Sequence, residues 1–164
     1  MKDLILLAED AERLTGALGR LCDEAKGRAA FLVDPNGRLL AGSGGAVNLD
    51  TTSLASLVAG SMAATGSLAQ LLGERGFSGL YLEGARAHLY LAVVEEGAIL
   101  VVVFDGGSSL GLVRFRVKHA IDEVGRILAD FAARDQRGEG PGPARAAREL
   151  AEITDEEIDN LLSS

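Results

Sequence analysis

From residue 3 to residue 25, apolar side chains recur at three- and four-residue steps: Leu7, Ala11, Leu14, Leu18, Leu21, Cys22 and Ala25. That spacing draws one stripe along a helix and predicts a first helix over 3–25. The pattern then shortens. Residues 31–33 form a brief apolar run and residues 38–41 a second, with Asp34, Pro35, Asn36 and Gly37 between them. Proline presets the second turn position and Asn-Gly accepts left-handed backbone, so the two runs should be paired strands of a hairpin. Three more strands are expected over 79–83, 88–94 and 98–104, the last two joined by a Glu95, Glu96, Gly97 turn. Residues 99–104 are apolar on both alternating sets, which places that strand in the middle of a sheet covered on both faces. A last long helix begins at "DGGSSLG" and should bury Val113, Val117, Ala120, Ile121, Val124, Leu128 and Phe131. Arg114, Arg116, Lys118 and Arg126 give its outer side a basic character.

The segment between the two strand groups carries the most information. Asp50 or Thr51 can cap a helix start and Gly73 can end it. Leu54, Leu57, Ser61, Ala64, Leu68 and Leu71 share one side, which is expected to pack on the sheet. Thr52, Ser56, Ala59, Ala63, Ser67 and Gln70 share another, small and weakly polar. No charge occurs between Asp50 and Glu74, whereas a solvated helix face normally carries Lys and Glu. The small face is therefore expected to meet another protein; the alternative is that it lies beneath the first helix of its own chain.

The element order is helix, two strands, helix, three strands, helix. Hairpin-length connections make the sheet antiparallel, so the expected fold is α/β in the broad sense: an α+β sandwich of five strands flanked by helices. At 164 residues with 48% apolar side chains, one domain with a substantial core is expected. Aromatics are 4% and Trp is absent, so that core is aliphatic.

Charge divides the chain unevenly. The net charge is −8, but residues 149–164 hold six of the 24 acids and none of the bases. The rest keeps 18 acids against 16 bases and is nearly neutral. No basic footprint for nucleic acid is present, and an acidic tail would be repelled by an anionic membrane. A single cysteine excludes an intrachain disulfide, and the short apolar run at the start is no signal peptide, so the expected compartment is the cytoplasm.

The search for chemistry returns little. His88 and His119 stand without metal-ligand spacing, the loop "GSGGAVN" lacks the Lys-Ser or Lys-Thr of a phosphate cradle, and no serine sits in a nucleophile elbow. No catalytic site, cofactor or metal is expected, and a binding protein is favoured over an enzyme acting alone.

The tail is a self-contained signal. Residues 134–152 are rich in Gly, Pro, Ala and Arg and read as a flexible linker spanning roughly 25 Å. Beyond it, Thr154 and Glu157 match a capping box, with Ile153 and Ile158 as its hydrophobic staple. Ile158, Leu161 and Leu162 continue the apolar side of a short acidic helix over 153–162. Burying Ile153, Ile158, Leu161 and Leu162 contributes about 6–12 kcal/mol, against about 10–20 kcal/mol to order ten residues. The tail should tune a complex already formed rather than make one, either on a partner or folded back on the basic side of the last helix.

The stretches "FLVDPNGRLLA", "NLDTTSLASLVAGSMAATGSLAQLLGE", "EGARAHLYLAVV", "ILVVVFDGGSSLGLVRFRVKHAIDEV" and "ITDEEIDNLL" resemble the Roadblock (dynein light chain) family, above all bacterial members that regulate a Ras-like small GTPase of the MglA type. The resemblance implies a Roadblock-like domain over residues 1–133 and a homodimer whose sheets and helices associate. It implies stimulation of GTP hydrolysis without an inserted arginine finger, the GTPase's own groups being repositioned. The GTPase-facing residues are then expected at Ala59, Ala63 and Ser67, and Ile153, Ile158, Leu161 and Leu162 should contact the GTPase away from the main interface. A role in cell polarity and motility, with enrichment at a cell pole, follows from the same resemblance. The alternative is a Roadblock scaffold that tethers a complex without changing hydrolysis.

Overall fold

The computed structural model describes residues 8–45 and 49–136. The expected linker over 134–152, apart from its first residues, and the tail helix over 153–162 lie outside that range, as does Leu7. The chain groups into two compact units, Met1–Leu128 and Ala129–Ser164. The first holds every strand, and the described part of the second is the last turns of the final helix.

The elements are α1 (Ala8–Glu24), β1 (Ala29–Val33), β2 (Leu39–Gly44), α2 (Thr51–Leu71), β3 (Gly79–Glu83), β4 (His88–Val93), β5 (Ile99–Phe104) and α3 (Leu110–Gln136), with a short 3-10 turn at Glu95–Gly97. The five strands form one antiparallel sheet in the order β2-β1-β5-β4-β3. The α+β architecture and its element order are those expected from the pattern of the chain. The apolar run of β5 does occupy the centre, bonded to β1 on one side and β4 on the other.

Alternation along the strands divides the core in two. Ala30, Leu32, Leu100, Val102 and Phe104 face α1 and α3, packing on Leu14, Leu18, Leu21, Val113, Val117 and Val124. Phe31, Val33, Leu91, Ile99 and Val101 face α2, packing on Ala55 and Val58. The sheet is therefore sandwiched, with α1 and α3 on one side and α2 on the other. This excludes the possibility that α1 covers the small face of α2.

The β1–β2 turn fixes one wall beside α2. The side chain of Asp34, 3% exposed, accepts from the backbone N–H groups of Asn36 and Arg38, both at 2.9 Å. Gly37 takes φ 87°, and a Cβ there would lie 3.1 Å from the Ser56 backbone of α2. Turn and helix thus approach at glycine distance. At the far end of the hairpin, Gly44 has φ 114° and a Cβ would meet the Arg28 carbonyl at 2.4 Å.

Candidate functional site

Helix α2 is capped as its sequence suggests. The Asp50 side chain accepts from the Ser53 N–H at 3.0 Å and from the Ser53 hydroxyl at 2.6 Å. These hydrogen bonds, the hydroxyl's first, hold the Asp50 carboxyl below the usual carboxylate range. At the other end Gly73 adopts φ 73°, the left-handed residue that commonly terminates a helix.

Which side of α2 meets the sheet differs from expectation. The buried stripe is Ala55, Val58, Thr65 and Ala69, with Met62 partly buried beside them. Of the leucine side only Leu54 packs against the sheet cluster, partly buried; Leu57 is 70%, Leu68 56% and Leu71 84% exposed. The physical reason lies in the opposing sheet, which presents Phe31, Val33, Val101 and Ile99. Bulk is already supplied from below, so small residues let the helix settle close and the leucines rotate to a flank. At 3.6 residues per turn, α2 has a core stripe, a leucine flank on one side of it and a small-residue flank on the other. Both flanks lack charge.

The small flank borders a cavity of about 340 Å³. Ala59, Met62, Ala63, Thr65 and Gly66 of α2 form one wall; Pro35 of the first turn, Gly76 and Phe77 after α2, and Val93, Gly97 and Ile99 around the β4–β5 connection form the rest. Of the residues expected to face a GTPase, Ala59 is partly buried and Ala63 exposed, and both line this groove. Ser67 is exposed one turn further on, its hydroxyl donating to the Ala63 carbonyl at 3.3 Å. The three share one flank, as their spacing requires. Pro35, Phe77, Val93 and Ile99 carry no signal in sequence that links them to α2; only the fold gathers them.

Two features extend the apolar surface. Leu72, just past the helix, is 71% exposed. β3 is an edge strand whose Leu82 is 43% exposed, and among the described residues no strand pairs with its outer side. An 18-residue window of α2 reaches a mean hydropathy of 1.3 with 22% of it buried. By length and composition such a helix suits a membrane span, yet its Ala55–Val58–Ala69 stripe is committed to the sheet.

The chemistry elsewhere is structural. Cys22 is buried, donates to the Gly27 carbonyl at 3.3 Å, and has its thiol pKa pushed up by burial and then by Asp23. A reactive thiol needs the opposite environment. Among the described residues no group of three His, Cys, Asp or Glu side chains is placed to hold a metal ion. The site described is thus an apolar surface along α2 with a groove beside it. Ile153, Ile158, Leu161 and Leu162 lie outside the described residues.

An antiparallel five-stranded sheet between two helices on one side and one on the other, in the order α-β-β-α-β-β-β-α, is the architecture of a Roadblock domain. Residues 17–104 match the Roadblock/LC7 domain, and the chain belongs to the Roadblock/LC7 family. Within that family it is similar to MglB of Myxococcus xanthus, at 44% sequence identity and a TM-score of 0.73 over 78% of this chain and 96% of that one. It is likewise similar to the gliding protein MglB of Thermus thermophilus, at 35% identity and a TM-score of 0.74, over 79% of this chain and 98% of that one. A third structure, MglB with a tetrameric arrangement, matches at 34% identity and a TM-score of 0.75, over 80% and 98%. No curated protein matches the chain. The resemblance to the Roadblock family noted from the sequence is borne out, and the regulator it belongs with is of the MglB kind.

Proposed function

We propose that the chain is a GTPase-activating regulator of a Ras-like small GTPase of the MglA type, acting as a homodimer in the cytoplasm in the control of cell polarity and motility. The observation that carries this reading is the uncharged, solvent-facing surface of α2, with Ala59 and Ala63 bordering a groove and Leu57, Leu68 and Leu71 left uncovered.

The two flanks suit two partners. The leucine flank, with the β3 edge, suits a second copy. Covering the exposed parts of Leu57, Leu68, Leu71 and Leu72 contributes about 4–8 kcal/mol, against about 4–15 kcal/mol of lost translational and rotational freedom. The leucines alone make a marginal dimer, and hydrogen bonds along the β3 edge would supply the remainder. The small flank suits the GTPase. It offers no arginine: between Asp50 and Glu74 there is no cation at all. Activation from this surface works by holding the GTPase's own arginine and glutamine in place, since positioning and electrostatics supply most of the barrier reduction in phosphoryl transfer.

The test is single-turnover GTP hydrolysis by an MglA-type GTPase with the wild-type chain and with Ala63→Arg. Ala63 is exposed, so the variant should keep its melting temperature. Loss of stimulation by the variant supports the reading. Equal stimulation by both sinks the assignment of the small flank, and binding without stimulation by the wild type turns the chain into a scaffold.

A further inference from the structure

The surface of α3 is unlike that of α2 and lies on the opposite face of the sheet. Arg114, Phe115, Lys118, His119 and Arg126 are all exposed along its outer side. Phe115 is 54% exposed and has two polar neighbours: His119 meets its ring edge-on at 4.7 Å and the Arg116 guanidinium lies 5.4 Å from its centroid. Arg114 is held 5.8 Å from the Tyr90 ring on β4.

Charge singles out the same side. Where α1 meets α3, the cations have carboxylates: Arg20 pairs with Glu123, and Arg116 with Glu24 at 3.6 Å. Arg28 pairs with Asp105 at 3.5 Å. Neither Arg114 nor Lys118 has a carboxylate within 4.0 Å among the described residues. They lie four residues apart on one helix face, where like charges repel, and the one acid beside them on that face is Asp122. In a chain of net charge −8, cations without an ion pair among the described residues, beside an exposed phenyl ring, select for an anion with an apolar part.

We propose that the outer face of α3 is a second docking surface, and that it takes an acidic peptide segment of a partner protein, carboxylates on Arg114 and Lys118 and an apolar side chain on Phe115. Because it shares no residue with the α2 flanks, it can be occupied at the same time as they are. The chain then acts as an adaptor, linking the partner on α2 to an acidic client on α3. The contact is partly electrostatic, so it weakens as salt shortens the screening length below about 10 Å.

The test uses the full chain and a fluorescein-labelled peptide of glutamates flanking one phenylalanine, with a glutamine twin, read by fluorescence anisotropy. The acidic peptide should bind more tightly at low salt than its twin. Lys118→Glu should weaken it about fivefold or more, and Phe115→Ala by about fivefold to tenfold, both at an unchanged melting temperature. Ala63→Arg, on the other face, should leave it unaltered. Equal binding of the two peptides, no binding by the wild type, or indifference to both α3 substitutions overturns the proposal. So does binding that appears only when Glu156 and Glu157 are changed to glutamine, because the occupant would then be the chain's own acidic segment.

Discussion

Gly60 lies in the interior of α2 and is exposed. A Cβ built on it meets nothing within 4 Å. Glycine inside a helix costs roughly 0.5–1 kcal/mol relative to alanine, because the unfolded chain has more freedom to lose. Nothing within the described residues compensates for that cost, so Gly60→Ala should stabilise the fold by about that amount. For a chain of this length 1 kcal/mol moves the melting temperature by about 2–4 °C, so the rise should be about 1–4 °C. In the proposed assembly the compensation comes from a partner backbone. Gly60 stands one turn before Ala63 and Ala64, between the leucine flank and the small flank, where another backbone can come close only if no methyl intervenes. Overpacking by one methyl costs about 1–3 kcal/mol, and about 1.4 kcal/mol is a factor of ten. Stimulation of the GTPase, or self-association, should therefore fall between about fivefold and about a hundredfold. Differential scanning calorimetry gives the first number; single-turnover hydrolysis and sedimentation velocity give the second. A variant that melts higher while associating and stimulating as before would refute the reasoning, since the glycine would then serve no close approach. A variant that melts lower would refute the first half of it.

Leu71→Glu should leave the fold within about 0.5 kcal/mol of wild type, because the side chain is 84% exposed, while shifting the chain towards monomer in sedimentation velocity; an unfolded variant would make Leu71 a core residue after all. Asp34→Ala removes the acceptor of two backbone N–H groups in a buried turn and should cost about 1–3 kcal/mol in urea unfolding, with no change in the denaturant slope. The Asp50 carboxyl is held below its ordinary pKa by Ser53, so its contribution is present above the unfolded value of about 3.9 and is lost as pH falls through the lower folded value. Asp50→Asn should therefore flatten the acid limb of melting temperature against pH, and an unchanged limb would assign that limb to other carboxylates.

Much of the fold was legible because each element repeats one simple rule. The stripe from Leu14 to Ala25 and the one from Val113 to Leu128 are single-faced helices, and both bury their apolar side against the sheet. β5 is apolar on both sides because helices cover both sides of the sheet centre. The Asp-Pro-Asn-Gly turn carries its own geometry in its residue types. The groove was half legible. Ala59, Ala63 and Ser67 share a flank by spacing alone, but Pro35, Phe77, Val93 and Ile99 reach them only through the order β2-β1-β5-β4-β3.

The orientation of α2 shows why the remainder was hidden. Pattern reading assigns the largest apolar side chains to the core, which holds when a helix has one apolar face. Here three faces are uncharged, and their order of burial is set by what opposes them. A sheet surface already filled by Phe31, Val33 and Val101 buries Ala55 and Val58 fully, takes Leu54 at its border, and leaves Leu57, Leu68 and Leu71 outside. Leu57, Leu68 and Leu71 are then held at a flank, exposed among the described residues. Those exposed leucines are what the proposed homodimer would cover. This is also why the absence of charge between Asp50 and Glu74 was the better signal than the leucine spacing. Residue size says how closely a face can approach its neighbour, whereas missing charge says that some neighbour is expected on every side.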